Sequence, residues 1–579
     1  MGSIAVIVEP KAPDKTGDYI TEILLTEGIN GFDVIDQAEI TEELLRRYTL
    51  AITSSTVSSL SLPVISAYVR HGGSLLSLRP PKDWESIFGL ERLPGSIYTR
   101  CKDGYLHLNT RNAAFANFDD KTLQVRGVTD LYTLKGAEAI AYISSIPTYP
   151  TQYPAISLNR YGEGLAACYA FDLAQCVVRL HQGNREKAGG DNLDYNADGK
   201  LTPSDLFTGE LDYSFRLIPQ ADVHQDILTA LIEKMHRNIP LPRVWHFPNG
   251  APAAVLINGD SDGTTAEQLE MSIKIAEQNG YRYTGYLMRE HVDMLDKETI
   301  DDYIGRGHCF GPHLITQTMA SGSDFEDALT DNASAIERKY GDAPVAHRSH
   351  GCIFPGYVSS AKTLLKHGIR MDTNYLGMSG IGTSFINGSA LPVKFADENG
   401  SVIDVYELST QISDDSFSPK LLVEQRSTEQ AMELGFDLIR RCLKYNGVYH
   451  PSFHPITVAN KPEVANWMDK DCKACRELGL ISLTSRQCIE FEDARRAITI
   501  QAERSDRTGI YIYNLQSRNK VRDVCIVIPT DAHAIGKVEA RIGDRPINAS
   551  IMYVNNKPKI AVCMSFNENE CKTLSLLYN

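Results

Sequence analysis

The 579-residue sequence has no long hydrophobic run, little cysteine and no excess of basic residues. No apolar stretch approaches the ~20 residues that a membrane-spanning helix needs. Twelve cysteines are too few for a disulfide scaffold in a chain of this length. Acidic residues outnumber basic ones by 73 to 58, which gives a net charge of −15. Such a field repels phosphate backbones and anionic lipid, so nucleic acid and membrane surfaces are disfavoured as partners.

The first residues, MGSIAVIVEP, contain no secretory signal and enter a strand-like run at once. This predicts the cytoplasm, unless the printed sequence is the processed form of a secreted protein. Hydrophobic residues make up 42% of the chain and charged residues 23%, as is typical of a globular protein with large cores. At about 150 residues a domain, the length predicts roughly four domains, or three if one is a large α/β unit.

Residues 1–240 alternate short strand-like runs, helix-like runs and glycine stops, a pattern typical of a doubly wound parallel α/β sheet. The stretches SAYVRHGGSLLSL and RYGEGLAACYAFDL (160–173) resemble the glutamine-amidotransferase-like domain, which has a flavodoxin-like fold. The sequence lacks the Gly-x-Cys-x-Gly turn that carries the nucleophile of those amidotransferases. We therefore expect a non-catalytic domain, in which Cys168 and Cys176 are buried packing residues.

Two more domains are predicted after this one. The Pro-rich segment at 237–252 is interpreted as a linker. Residues 241–495 again alternate strands and helices, and Cys472 and Cys475 fall within one of these helices. From residue 496 the helices stop. Short alternating runs separated by turn residues predict a small β-sandwich over 496–579.

Residues 194–205, DYNADGKLTPSD, have the spacing of a calcium-binding loop. Oxygen-bearing side chains fall at loop positions 1, 3, 5 and 12, and the glycine at position 6 allows the sharp turn. Position 7 contributes a backbone carbonyl. The loop resembles the EF-hand-like loop of dockerins, and the predicted ligands of a structural Ca²⁺ are Asp194, Asn196, Asp198, Lys200 and Asp205. The alternative is an Asp- and Asn-rich surface turn.

The strand Ala253–Ile257 runs into NGDSDGTT, where Asp260 and Asp262 lie on the same side of an extended segment. Active sites of α/β folds are built at such strand ends. One interpretation is the DxDGT motif of haloacid-dehalogenase-like phosphatases, with Asp260 as nucleophile, Asp262 as acid/base and magnesium as cofactor. That motif also needs a later Ser or Thr, a Lys and a second acidic pair. The candidates, in the wrong order, are Ser482, Thr484 and Asp414–Asp415.

Polar side chains also follow the later strands. His313 lies at one predicted strand end, Arg348 and His350 at the next, Asp372 at another, and His454 in GVYHPSFHP (447–455). A parallel barrel brings those ends onto one face, which is a natural way to assemble a metal-hydrolase site. Structural roles are expected for the other histidines of these segments, His308, His347, His367 and His450.

The order of these motifs resembles the polysaccharide deacetylases of carbohydrate esterase family 4, which have a distorted (β/α) barrel. The resemblance covers roughly residues 253–495. It implies a hydrolase that removes acyl groups, acetyl above all, from a carbohydrate by using water activated at Zn²⁺ or another divalent transition metal. The implied catalytic residues are Asp260 as base, Arg348 to orient it, Asp372 and, as general acid, His454. The implied metal ligands are Asp262 and His313.

One position departs from that family. Its second ligand His, four residues after the first, is Gln317 here. His350 is the predicted substitute, because Asp, two His and water form an acceptable open zinc site. The alternative is that the metal is lost and the barrel is a degenerate carbohydrate-binding protein. A polysaccharide substrate and a dockerin-like loop also favour export over the cytoplasm.

Overall fold

The computed structural model describes residues 3–96, 103–112, 115–116, 118, 122–188, 194–236, 239–377, 381–417, 426–504, 509–531 and 536–578. The protein has a mixed α/β structure, as predicted. No helix in these ranges is long and apolar enough to cross a membrane. The sheets fall into three groups along the chain.

The first group is dominated by a nine-strand sheet, with a two-strand sheet of β5 and β8 beside it. The strands are β1 (Ile4–Val8), β2 (Phe32–Asp36), β3 (Leu50–Thr53), β4 (Ser74–Leu78), β5 (Leu90–Ser96), β6 (Asp103–Leu108), β7 (Thr122–Arg126), β8 (Asp130–Leu134), β9 (Glu138–Ser144), β10 (Pro154–Tyr161) and β11 (Gly164–Tyr169). The order of the large sheet is β2-β1-β3-β4-β11-β10-β9-β6-β7. The first five strands of this order are parallel and the other four antiparallel.

Helices cover this sheet with their apolar faces. They are α1 (Ile20–Thr26), α2 (Glu42–Leu45), α3 (Leu62–Arg70), α4 (Leu173–Gln182) and α6 (Gln220–Met235). Helix α5 (Pro203–Phe207) instead packs Leu206 and Phe207 against residues from later in the chain, such as Leu314 and Phe354. In α3, Ile65, Tyr68 and Val69 are buried at helical spacing. A Cβ on Gly164 would lie 2.2 Å from the Val69 carbonyl oxygen, so the glycine lets α3 lie directly on β11.

The second group contains a second nine-strand sheet, of order β19-β20-β18-β17-β16-β15-β14-β23-β21, and a parallel three-strand sheet, β22-β13-β24. Including β12, which belongs to the third group, the strands are β12 (Arg243–Val244), β13 (Ala254–Val255), β14 (Ile257–Asp260), β15 (Tyr283–Met288), β16 (Cys309–Leu314), β17 (Ala346–Ser349), β18 (Met371–Asp372), β19 (Val393–Ala396), β20 (Val402–Glu407), β21 (Ile412–Ser413), β22 (Val448–Tyr449), β23 (Pro451–Ser452) and β24 (Ile481–Ser482). The helices are α7 (Ala266–Gln278), α8 (Lys297–Gly305), α9 (Gly322–Tyr340), α10 (Ser359–Lys366), α11 (Thr428–Lys444), α12 (Pro455–Asn460), α13 (Pro462–Glu477) and α14 (Ser485–Arg496).

This second large sheet must curl. Strands β20 and β21 are the first and last of its eight parallel strands, yet only residues 408–411 separate them in the chain. Eight strands side by side span about 34 Å at ~4.8 Å spacing, whereas the chain from β20 to β21 reaches at most ~17 Å. The two edges are therefore brought together, and the carboxyl ends of the parallel strands face one opening.

The third group consists of two antiparallel sheets, of order β12-β27-β31-β30 and β25-β26-β32-β28-β29. The remaining strands are β25 (Ile498–Arg504), β26 (Ile510–Ser517), β27 (Val521–Pro529), β28 (Val538–Ile542), β29 (Arg545–Ile547), β30 (Ala549–Val554), β31 (Lys557–Phe566) and β32 (Cys571–Tyr578). Ile500 and Leu515 from one sheet and Ile526 and Val562 from the other share one apolar core.

The segment that was interpreted as a linker contributes to this group. Arg243–Val244 pairs with Val527 and Ile526, and the neighbouring Trp245 and Phe247 are buried. The prolines of this segment therefore flank a short edge strand, a position that proline tolerates.

Most of the described cysteines form no disulfide and are buried. Cys168 and Cys176 are packing residues, as predicted, and Cys472 and Cys475 lie buried on α13. One disulfide, Cys525–Cys563, joins β27 to β31.

Candidate active site

Polar side chains from several strand ends of the curled sheet meet at a cavity of about 110 Å³. Asp260 ends β14, His313 lies near the end of β16, Arg348 lies in β17, and His454 follows β23. The strands are neighbours in the order β17-β16-β15-β14-β23. The structure thus brings together residues that lie almost 200 positions apart in the sequence.

A glycine lets two of these segments approach closely. A Cβ on Gly259 would lie 1.9 Å from the Phe453 carbonyl oxygen and 2.2 Å from the Tyr283 hydroxyl oxygen, so a larger residue would clash. The backbone before Asp260 therefore packs directly against the backbone before His454. The resulting distance from His454 Nε2 to Asp260 Oδ2 is 3.7 Å.

Asp260 forms a buried ion pair with Arg348. Arg348 Nε lies 3.0 Å from Asp260 Oδ2, and 5% or less of either side chain is exposed. Arg348 Nη1 also donates a hydrogen bond of 2.9 Å to Thr410 Oγ1. A guanidinium held at both positions fixes the direction of the carboxylate, which is the geometry of a base oriented by an arginine.

Asp262, His313 and His350 offer ligand atoms that all lie within 4.8 Å of one another. His313 Nε2 lies 3.0 Å from Asp262 Oδ1, and His350 Nδ1 lies 3.0 Å from Asp262 Oδ2. Burial opposes ionisation of Asp262, but the two imidazoles hold its pKa well below its usual range. One carboxylate with two imidazoles is a donor set that suits Zn²⁺ and related divalent metals.

Several polar atoms here lack the hydrogen bonds that buried polar atoms normally make. Neither ring nitrogen of His313 makes a hydrogen bond of acceptable geometry to the residues that the structure describes. The same holds for Oδ1 of Asp260 and Oδ1 of Asp262. A cation between these atoms would satisfy them, so the residues present fit a divalent metal. Gln317 is exposed and does not line the cavity.

His454 is held by Asp414 on the other side of the cavity. Its Nδ1 lies 2.6 Å from Asp414 Oδ1, and its backbone N–H donates a hydrogen bond of 3.1 Å to Asp414 Oδ2. Burial would lower the pKa of His454, but Asp414 raises it well above its ordinary value. Its Nε2 then carries a proton toward the cavity, where Asp260 and Asp262 lie. This is the arrangement of a general acid.

Sequence reasoning did not assign Asp414 to this role. It appeared only as half of the acidic pair that the phosphatase interpretation needed. Asp414 and Asp415 directly follow the strand Ile412–Ser413, so they lie at a strand end like the other site residues. A strand of two residues is too short to be recognised from the sequence alone. Asp415 also faces the cavity, with Oδ2 lying 3.7 Å from His454 Nε2.

Asp372 lies outside the group that meets at the cavity. It is fully buried, and its carboxylate contacts His347 and Asn374 rather than Asp260 or Arg348. His347 is thereby a structural residue, as predicted. Structural surroundings are also found for His308 beside Glu277, for His367 beside Glu326 and for the fully buried His450.

The Ser and Thr candidates of the phosphatase interpretation are engaged elsewhere, although its acidic pair, Asp414–Asp415, lies beside His454 at the cavity. Ser482 Oγ accepts a hydrogen bond from the backbone of Arg282, and the Thr484 side chain caps α14. Neither residue lines the cavity. Asp260, the expected nucleophile, is paired with Arg348. The geometry therefore favours the metal-hydrolase interpretation of the DSDG segment.

In the predicted calcium loop, carboxylate oxygens accept hydrogen bonds from the backbone of the loop itself. Asp194 accepts hydrogen bonds from the backbone N–H groups of Asp198 (3.1 Å) and Gly199 (2.7 Å), and Asp205 accepts one from Asn196 (3.2 Å). Gly199 has a φ of +79°, as the sharp turn requires. Within the described residues the carboxylates of this loop do not form a group of three ligand atoms within 4.8 Å. Calcium binding stays a prediction.

Comparisons with known proteins give only partial structural likenesses. No protein-family model matches the chain, and no curated protein matches it significantly. A β-galactosidase from Bacillus circulans sp. alkalophilus matches at 14% identity and a TM-score of 0.23, over 31% of this chain and 30% of its own. A protein from Mycobacterium smegmatis described as a candidate polysaccharide deacetylase matches at 17% identity and a TM-score of 0.35, over 45% and 97%. A family 4 carbohydrate esterase from Streptomyces lividans, in complex with acetate, matches at 11% identity and a TM-score of 0.26, over 40% and 92%.

The chain thus spans 30% of the length of the β-galactosidase, and 97% and 92% of the two shorter proteins. All three TM-scores are below 0.5. The functional conclusion has to come from the residues at the cavity.

Proposed function

We propose that this protein is a metal-dependent hydrolase that removes acetyl groups from a carbohydrate. The observation that carries the proposal is the meeting of three parts in one cavity. These are the Asp262–His313–His350 group, the Asp260–Arg348 pair and the Asp414–His454 pair. A metal site, a base and an acid are the components that hydrolysis of an amide or ester requires.

Asp262, His313 and His350 would hold the metal, which is Zn²⁺ or another divalent transition metal. When bound, such an ion polarises a carbonyl group and makes water more acidic. Asp260, oriented by Arg348, accepts the proton of the attacking water. His454, held by Asp414, donates its Nε2 proton to the leaving amine or alkoxide. The products are acetate and the free sugar.

The test combines metal analysis with turnover. Protein purified without chelator is assayed for bound metals, for acetate release from acetylated oligosaccharides and for hydrolysis of a phosphate monoester. One transition metal per chain with acetate release supports the proposal. Magnesium-dependent phosphate release supports the phosphatase instead. Absence of metal and of both activities supports the degenerate carbohydrate-binding protein.

Asp414→Asn is expected to lower kcat by about 100-fold, because the amide no longer stabilises protonated His454 or fixes its tautomer. Asp414 raises the pKa of His454, so the acid keeps its proton to higher pH in the wild type. Without Asp414 the proton is lost at lower pH, and the loss of activity should be larger at pH 8 than at pH 6. The measurement is the pH profile of kcat. An unchanged profile would contradict the role of Asp414.

We also propose that Asp194, Asn196, Asp198, Asp205 and the backbone carbonyl of Lys200 bind a structural Ca²⁺. A ligand at 100 times its Kd stabilises the folded state by about 2.7 kcal/mol. Calcium should therefore raise the Tm of the wild type by a few degrees over its value in chelator, and Asp194→Ala should lose this shift. Asp437→Asn, a partly exposed position on α11 paired with Arg441, is the control. Equal shifts in wild type and Asp194→Ala would rule the site out.

At the level of domains, we infer a flavodoxin-like, non-catalytic domain resembling the glutamine amidotransferases over 1–240. A deacetylase-type (β/α) barrel follows over 241–495, and a β-sandwich over 496–579. The parallel strands β2-β1-β3-β4-β11, the curled sheet and the two packed antiparallel sheets support these assignments.

A further inference from the structure

The loop that carries the predicted calcium site also reaches the cavity of the curled sheet. Lys200, at its seventh position, lines the cavity together with Asp262, His350 and His454. Its Nζ lies 3.7 Å from the place where a Cβ on Gly351 would be, next to the predicted metal ligand His350. A side chain from the N-terminal part of the chain thus forms part of the wall of the candidate active site.

The backbone around Lys200 is fixed on both sides. The Leu201 N–H donates a hydrogen bond of 2.9 Å to the Thr318 carbonyl, and the Phe354 N–H donates one of 2.9 Å to the Leu201 carbonyl. Ser204 Oγ donates a further hydrogen bond of 3.1 Å to the Leu376 carbonyl. These contacts attach the loop to the strand ends of the sheet, so the position of Lys200 at the cavity is determined by the fold.

The charges at the cavity leave this ammonium without a carboxylate. Arg348 is paired with Asp260, His313 and His350 with Asp262, and His454 with Asp414 and Asp415. Among the described residues, Lys200 has no ion pair. A half-buried ammonium beside a reaction centre, with no carboxylate of the described residues in ion-pair contact, can bind an anionic group of a ligand.

We infer that Lys200 determines specificity for an acetylated sugar that carries one anionic group, a carboxylate or a sulfate, close to the acetyl group. The inference rests on the proposed deacetylase function. The net charge of −15 argues against a densely charged polyanion, because the field of the whole chain repels it. A single acidic group beside the acetylated position is compatible with both the negative net charge of the chain and the local ammonium of Lys200.

The test uses full-length protein and three acetylated oligosaccharides that differ at one position: a hexuronic acid, its carboxyl-reduced counterpart and a sulfated counterpart. For Lys200→Met we expect kcat/KM on the preferred acidic substrate to fall by roughly 10-fold, with less than a 2-fold change on the neutral one. Lys200→Arg should retain the preference for the acid. Preference for either acid over the neutral form, lost in Lys200→Met, supports the inference and identifies the acid.

Equal losses on neutral and acidic substrates, or no preference for an acid in the wild type, would overturn it. Calorimetric binding of the deacetylated acidic and neutral oligosaccharides to wild type and Lys200→Met separates this inference from the proposed function, since binding needs no turnover. If the acidic oligosaccharide binds in a way that depends on Lys200 but no acetate is released, the anion site is supported and the proposed deacetylase function is contradicted. If acetate is released but substitution of Lys200 changes neither binding nor preference, the proposed function is supported and the anion site is contradicted.

Discussion

Asp260→Asn is expected to slow acetate release by about 10³-fold, because the amide cannot accept the proton of the attacking water. The predicted metal ligands are untouched, so the variant should still bind one metal ion per chain. Acetate release and metal content are measured on the same preparation. Asp301→Asn, an exposed position on α8 paired with Lys297, is the matched control and should behave as the wild type.

The variant leaves the guanidinium of Arg348 buried without its carboxylate, which destabilises by about 3–5 kcal/mol in comparable cases. If Asp260→Asn does not fold, Asp260→Asn with Arg348→Gln removes both charges and tests the same role. A folded variant of either kind that retains turnover would show that Asp260 is not the base.

Much of the fold follows from local patterns in the sequence. The helices Leu62–Arg70 and Ala266–Gln278 and the strand Ile4–Val8 lie in segments for which the sequence predicts alternating strands and helices. They are long enough for a pattern to appear, and their ends carry clear signals. In α7, for example, Thr265 and Gln268 form a capping box.

Other elements are set by tertiary contacts that no local pattern encodes. Strands of two residues, such as β18 and β21, are defined by their neighbours in the curled sheet. The antiparallel strands between residues 90 and 161 lie inside 1–240, where the sequence pattern predicted a parallel sheet with helices between its strands, and that prediction is wrong for them. Strand β12 was not predicted, because the prolines that flank it are typical of a linker.

The candidate site likewise combines residues whose positions the sequence predicts with residues placed by tertiary contacts. Asp260, Asp262, His313 and Arg348 lie at strand ends that the sequence predicts, and they meet as parallel neighbours must. Asp414 contacts His454 from the end of a very short strand, and Lys200 reaches the cavity from a distant loop. Their positions depend on contacts between segments far apart in the sequence, so only the folded structure shows their relation to the site.

His350→Ala is expected to weaken binding of the transition metal by more than about 100-fold and to abolish acetate release. Loss of a residue that merely supports a metal ligand costs roughly 10–100-fold in affinity, and loss of a ligand should cost more. Gln317→Ala is the matched control, because Gln317 occupies the position of the ligand in the resembling family but is exposed here. It should bind metal as the wild type does. Metal content and affinity are measured for both variants by elemental analysis and competition with a chelator.

A second group of ligand atoms, Asp414, Asp415 and His454, lies beside the first and offers an alternative position for the metal. Its atoms are already engaged, since both oxygens of Asp414 contact His454 at 2.6 and 3.1 Å. Both ring nitrogens of His313, in contrast, lack hydrogen bonds to the described residues. The metal should therefore bind to the first group, and Asp415→Asn should leave metal content unchanged. Retention of the metal in His350→Ala together with its loss in Asp415→Asn would place the ion at the second group and remove His454 as the acid.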